Sequence, residues 1–399
     1  MVLTMKEKNK IEAIQQVMEG AIKVEEAGKV LNLSVRQIFR MLKKLREEGL
    51  QGLQHGNKGK KSPRKIRKSI RKKIVELACG KLAGINDTHL SEILLRDEGI
   101  RIGRETLRSL LRAQGIAPKL KRRFRKYRSR RERKEALGMM LQMDGSTHDW
   151  LEGRGPRLTL IGAKDDATGR VWARFEQAET TWGYMHLMRA IFEERGLPLS
   201  LYSDRHTIFH SPKQPTIVEQ INNTRPLTQF GRAMEELGIT LIKAWSAPAK
   251  GRIENQWKTF QDRLVVELRL KKIKTQEEAN VFLKEFLNDY NRRFTVPATK
   301  SQAVFRTAPP SSHLDRILCL KETRTVAKDH TVSFEGLVLQ IPSGKKYWSI
   351  ARQKVQILQL KDGCVEIAHN TQTVARFTPQ AIQRLVNKLN DKHQLNKAA

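Results

Sequence analysis

The chain has 399 residues, 39% of them apolar, which suggests two to four domains with buried cores rather than one. Its 76 lysines and arginines face 42 acidic residues, a net charge of +34 that attracts polyanions and makes nucleic acid the foremost partner. No run of about 18 apolar residues could span a bilayer, and MVLTMKEKNKIE lacks a signal-peptide core, so no membrane partner and a cytoplasmic location are expected.

The three cysteines, Cys79, Cys319 and Cys364, are too scattered for a disulfide framework or a zinc site. The charge is uneven. Residues 1–135 carry 37 basic and 15 acidic side chains, residues 136–296 carry 23 and 20, and residues 297–399 carry 16 and 7. A nearly neutral middle between basic flanks suits a catalytic core with gripping arms.

Residues 1–55 read as a helix-turn-helix domain. Ile11, Ile14, Val17 and Met18 recur at helical spacing, and Val24, Ala27 and Leu31 mark a second helix. Asn32 to Ser34 turn the chain, with Ser34 as N-cap, and Ile38, Met41, Leu42 and Leu45 mark a third helix that stops at Gly49. That helix would present Arg36, Gln37, Arg40, Lys43 and Lys44 to base edges and phosphates, although a solvated helical hairpin would share the pattern. Residues 56–73 form a basic linker, with ten basic and no acidic side chains from Lys58 to Lys73, expected to follow a phosphate backbone. Residues 74–117 suggest a second helix-turn-helix domain. Thr88 would cap a helix with Leu90, Ile93 and Leu94, and a further helix with Leu107, Leu110 and Leu111 would present Arg104 and Arg108. Residues 118–135 are a second basic linker, in which Phe124 and Tyr127 read as packing rings more than base stackers.

Residues 136–296 read as one α/β domain. A strand from Met139 to Met143 ends at Asp144, and strands Leu158–Ala163 and Val171–Phe175 form a hairpin whose turn accounts for Asp165 and Asp166. A helix and a strand ending at Ser203–Asp204 follow, then an insert over 207–227, a helix and a strand from Ile239 to Ala244. The loop SAPAKG leads into a helix with Ile253, Trp257, Phe260 and Leu264 on its core stripe and Glu254 near its start; a last helix carries Leu283, Phe286 and Tyr290. Three strands, helix, strand, helix, strand, helix is the ribonuclease-H order, a mixed five-stranded sheet with helices. Residues 297–316 are a connector and 317–378 a small β-barrel with a hairpin at Asp362–Gly363. Its Arg324, Lys328, Lys345, Lys346, Arg352 and Lys354 are available to DNA, and 379–399 are a tail.

The chemistry concentrates on Asp144, Asp204 and Glu254. Two divalent ions about 3.5–4 Å apart activate the entering oxygen and stabilise the leaving one at a phosphodiester. Magnesium takes hard oxygen ligands and keeps several waters, so few carboxylates are needed. Asp144 would bridge both ions, Asp204 would hold one and Glu254 the other. Gly145, Ser146 and Ser203 would leave room for the DNA backbone. Glu219, Glu235 and Glu236 are rivals for the third acid, and His148 and Asp149 are candidate supporting groups. Lys250 and Arg252 would hold a DNA end near the metals, while Trp245 reads as a loop anchor.

The stretches MDGSTHDWLEGRGP, IGAKDDATGR, SDRHTIF, TQFGRAMEELGI and SAPAKGRIENQWKTFQDRLVVELRL, after a helix-turn-helix and a basic linker, resemble a DDE transposase of bacterial insertion sequences, within the retroviral integrase superfamily. The ISNCY group is the nearest likeness, and its long second interval matches the spacing of Asp204 and Glu254. The resemblance implies catalytic Asp144, Asp204 and Glu254, magnesium or manganese, and double-stranded DNA as partner, both terminal inverted repeats and target. It implies a homo-oligomer of at least two copies beside the bacterial nucleoid. The resulting expectation is an enzyme that nicks the transposon end and joins the 3′-OH to target DNA. A nuclease or integrase that moves no element of its own, and a DNA-binding regulator with an inactive core, are the alternatives. Deleting residues 1–117 is expected to abolish end binding and spare the core.

Overall fold

The computed structural model describes residues 5–53, 66–119, 131–221, 225–244, 251–342, 349–370 and 372–387. The chain forms two compact units, residues 1–79 and 80–399.

In the first unit, α1 (Met5–Met18), α2 (Val24–Leu31) and α3 (Val35–Glu48) close on a core that includes Ile14, Ala27, Ile38, Met41 and Leu45. Asn32, with a left-handed φ of 52°, ends α2, and the Ser34 hydroxyl accepts the Gln37 amide at 3.3 Å to open α3. Arg36, Gln37, Arg40, Lys43 and Lys44 are exposed on α3. A further helix, α4 (Lys68–Cys79), takes up the end of the expected basic linker, because Ile74 and Ala78 recur at helical spacing and are buried. The rest of that run, 54–65, lies outside the described residues.

The second unit opens with α5 (Asp87–Glu98) and α6 (Arg104–Ala113). Asn86, not Thr88, caps α5: its side chain accepts the His89 amide at 2.9 Å. Most of the second basic run, residues 120–130 with Phe124 and Tyr127, lies outside the described residues.

The central sheet has the order β3-β2-β1-β4-β5, built from β1 (Leu141–His148), β2 (Leu158–Asp165), β3 (Val171–Glu176), β4 (Ser200–Ser203) and β5 (Thr240–Lys243). The first three are antiparallel, and β1, β4 and β5 are parallel, as the ribonuclease-H order requires. Helix α7 (Thr181–Arg195) follows β3. A short α8 (Ile217–Ile221) and then α9 (Gln229–Glu236) precede β5, and α10 (Gly251–Leu270) and α11 (Gln276–Phe294) follow it. Alternation along the strands divides the core. Leu141, Met143 and Ile161 face α7 and α9, while Leu158, Leu160 and Phe175 face Trp257, Phe260 and Leu264 of α10.

After α12 (Ser311–Ile317), strands β6 (Leu320–Thr325), β9 (Lys354–Gln359), β10 (Val365–His369) and β11 (Gln372–Phe377) form a sheet of order β11-β10-β9-β6, and β7 (Thr331–Phe334) pairs with β8 (Leu337–Gln340). The expected barrel is corrected here: among the described residues neither sheet closes. Val355 and Ile357 face the β7–β8 ribbon, while Leu358, Leu360 and Ala368 pack with Cys319 toward Trp182. Apolar side chains on both faces of β9–β10 are satisfied by two neighbours, whereas a small barrel would leave its outer face to solvent.

Candidate active site

β1 and β4 run parallel with Leu141 beside Leu201 and Gln142 beside Tyr202. Continued two residues past the last pair, the same offset would bring Asp144 level with Asp204, which directly follows β4. Asp144 is not at a strand end as expected. It lies within β1, which stays paired with β2 as far as His148 after its pairing with β4 stops at Gln142. Asp144 thus lies two residues past the point where β1 loses its β4 neighbour.

Asp144 and its β2 partner Gly162 face α10. A Cβ on Gly162 would overlap the Trp257 ring, so glycine there lets the indole reach β1. Trp257 Nε1 donates to Asp144 Oδ2 at 2.9 Å. Glu254 is exposed on the first turn of α10, three residues before Trp257, a spacing that puts Cβ atoms about 5–6 Å apart. The Asp204 carboxylate accepts the His206 amide at 3.0 Å. Asp144 and Asp204 thus follow the paired stretch of β1 and β4, and Glu254 lies on the helix that bonds Asp144 through Trp257. Among the described residues, no three His, Cys, Asp or Glu side chains converge as a complete metal-ligand group. The carboxylate oxygens suit a hard divalent ion, which takes one or two carboxylates together with substrate phosphates and water.

The small residues beside the acids do not leave open space. A Cβ on Gly145 would lie 2.7–2.9 Å from the Glu179 carboxylate. Ser146 accepts Gln261 Nε2 of α10 at 3.2 Å, and Ser203 is buried. Glu179 in turn accepts the Tyr184 hydroxyl at 2.6 Å. Burial, then the charges of Glu179, Asp144 and Asp204, push the Tyr184 phenol well above its ordinary pKa.

Asp165 performs the expected turn role, accepting the Thr168 amide at 2.7 Å and the Gly138 amide at 3.0 Å; burial raises its pKa. Asp166 does far more than turn the chain. Fully buried, it accepts Gln142 Nε2 at 2.8 Å, the Lys134 amide at 2.9 Å, and the guanidinium groups of Arg131 and Arg252. Burial pushes its pKa up, but these donors outweigh that and hold it below the usual range. Arg252, an expected DNA contact, thus engages a buried carboxylate of its own chain. Nearby, burial and the charges of Arg133 and Arg252 lower the Lys164 ammonium to about 8, and Lys164 donates to Gln256 of α10 at 2.9 Å.

Arg104 and Arg108 are exposed on α6, both paired with Glu105, at 2.8 and 3.0 Å. Lys250 and Trp245 lie outside the described residues, as do Lys345 and Lys346; Arg324, Lys328, Arg352 and Lys354 are exposed. Asp149 caps the Gly153 amide at 3.0 Å, and His148 meets the Trp150 ring edge-on at 5.4 Å between centroids, so both serve the local turn. Of the rival acids, Glu236 pairs with Lys321 at 2.8 Å, and α9, which carries Glu235 and Glu236, packs on the face of the sheet away from α10. The Glu219 side chain is outside the described residues.

The outer side of α10 is bound to α5. His89 Nε2 lies 2.8 Å from Glu267 Oε1, which also accepts Arg96 at 2.9 Å. Glu92 accepts Arg263 at 2.7 Å and pairs with Arg293 at 2.9 Å. Burial opposes ionisation of Glu92, yet both arginines together hold it at about 2. Sequence reading missed this junction and Glu179. Glu179 carried only one local signal, its place directly before Thr180, the N-cap of α7.

Comparison with known proteins places the chain among relatives. Residues 9–64 match the model of a helix-turn-helix domain. The putative transposase y4bF of Sinorhizobium fredii (strain NBRC 101917 / NGR234) is 32% identical over 362 residues, covering 90% of this chain and 78% of that protein. The transposase for insertion sequence IS1202 of Streptococcus pneumoniae is 31% identical over 403 residues, covering 90% of this chain and 83% of that protein. Solved structures are more distant. The simian T-cell lymphotropic virus intasome in complex with PP2A regulatory subunit B56 gamma has a TM-score of 0.34 at 11% identity, over 77% of this chain and 99% of that chain. The HTLV-2 integrase catalytic core domain in complex with magnesium, trimeric form, has a TM-score of 0.29 at 14% identity, over 37% and 82%. Likeness to the two transposases extends over nine-tenths of the sequence, and the chain belongs to their family, the transposases.

Proposed function

We propose that this transposase is of the DDE type, with Asp144, Asp204 and Glu254 as its acids, and that it acts on the terminal inverted repeats of an insertion sequence of the ISNCY group. The observation that carries this reading is the register of β1 on β4, with α10 tied to Asp144 through Trp257. Asp144 would bridge two magnesium or manganese ions, Asp204 would hold one and Glu254 the other. Bound there, the ions supply activation of the entering oxygen and stabilisation of the leaving oxygen at phosphorus. The protein's own part is to fix the carboxylates: Trp257 orients Asp144, and the His206 amide orients Asp204. Exposed Arg36, Gln37, Arg40 and Lys43 of α3 would bind the element's ends, with Arg104 and Arg108 of α6 as further contacts. Hydrolysis at the end would free a 3′-OH, which would then attack a target phosphodiester and displace the target strand's own 3′-oxygen; two ends held together call for at least two copies of the chain.

The test is Asp204→Asn. Cleavage of end-containing DNA should fall by at least about a hundredfold while binding of the same DNA persists. Unchanged cleavage would remove Asp204 from the site. Strand transfer by the unaltered protein separates a transposase from a simple nuclease, and chelation of divalent ions should stop both steps without releasing the DNA.

A further inference from the structure

A fourth carboxylate stands against the strand that bears Asp144. Gly145 faces α7, and the Glu179 carboxylate packs on its backbone so closely that any side chain at 145 would collide with it. Glu179 is half-buried just ahead of the amino end of α7. Its oxygen holds the Tyr184 hydroxyl at 2.6 Å. Tyr184 is itself fully buried and lies in the field of Glu179, Asp144 and Asp204 together. Glu179 bonds the buried phenol directly, and the charges of Asp144 and Asp204 reach it as well. Like charges brought together repel, and a divalent cation is the natural agent to relieve that repulsion.

We propose that Glu179, packed on Gly145 beside Asp144 and bonded to Tyr184, is a positioning residue of the transposase site that strengthens the negative field drawing in a divalent cation. This rests on the assignment of Asp144 and Asp204 as cation ligands. Its signature differs from that of a structural residue. A structural carboxylate stabilises the cation-free protein, whereas this one adds repulsion to it and pulls the cation harder.

The experiment uses the full chain without DNA and Mn2+ as probe, with free Mn2+ read by electron paramagnetic resonance and thermal unfolding followed in parallel. Glu179→Gln keeps an acceptor for Tyr184 and removes the charge. Mn2+ affinity is expected to fall by roughly three- to tenfold, with the cation-free unfolding midpoint equal to or above that of the unaltered protein. Glu179→Asp should recover most of the affinity. Asp204→Asn, run alongside, should lose far more. If Glu179→Gln binds Mn2+ like the unaltered protein while Asp204→Asn does not, the role of Glu179 is overturned and the acid pair stands. If Asp204→Asn also binds normally, the acid pair itself fails and takes this proposal with it. A lower cation-free midpoint in Glu179→Gln would make Glu179 merely structural and would also overturn the proposal.

Discussion

Trp257 joins packing to chemistry in one ring. Its ring fills the space that Gly162 leaves on β2, and its indole nitrogen holds Asp144. Trp257→Phe keeps most of the packing and removes the donor. A hydrogen bond to a charged group is worth about 1.5–3 kcal/mol, so cleavage should drop about tenfold or more with the fold intact. Gly162→Ala forces the ring aside; unfolding should show a loss of about 1–3 kcal/mol, with cleavage impaired as well. Trp257 was legible in the sequence as a core residue, from its place on the Ile253–Phe260 stripe. Its second role was not, because that role depends on Gly162, almost a hundred positions away, having no side chain.

At the scale of elements, α10 is the piece on which the site turns. One side docks on the sheet and the other is bonded to α5 through Glu92 and Glu267. Both carboxyls have lowered pKa values. Burial opposes ionisation of Glu267, but the bonds from His89 and Arg96 outweigh it; the arginines hold Glu92 at about 2, against 4.5 for an ordinary glutamate. A group whose folded pKa is depressed contributes stability above its unfolded pKa and loses it as pH falls through the folded value. The α5–α10 junction should therefore be intact above pH 4.5 and loosen as pH falls toward 2. Hydrogen exchange of α5 amides measures this, and Glu92→Gln should flatten the pH dependence over that window. The helices and the five-strand order were legible because periodicity and turn chemistry are local signals. The junction was not, since His89 and Glu267 meet across 178 positions. The barrel misled for a related reason: alternation shows that a strand is apolar on a face, not which neighbour covers it.

Across the whole molecule, these contacts redraw how the chain divides. Residues 11–53 enclose a core of their own, so deleting residues 1–53 should impair binding to element ends and leave the thermal unfolding of residues 80–399 nearly unchanged. Deleting 1–117 removes α5, with the buried Leu90, Ile93 and Leu94, and leaves Glu267 without His89 and Arg96. That truncation should be less stable, since α10 loses the ion pairs and the packing that α5 gives it, and it would not spare the core. Calorimetry of the two truncations decides between these outcomes. Asp166 draws the far segments together: the end of the basic run at Arg131 and Lys134, β1 at Gln142, and the head of α10 at Arg252 all converge on one buried carboxylate. In a mutational screen scored by DNA cleavage, loss of Asp166 would therefore look like loss of a catalytic acid. It would silence the enzyme as Asp204→Asn should, without ever touching a phosphate, and only a fallen melting temperature would tell the impostor from the acids proposed to do the chemistry.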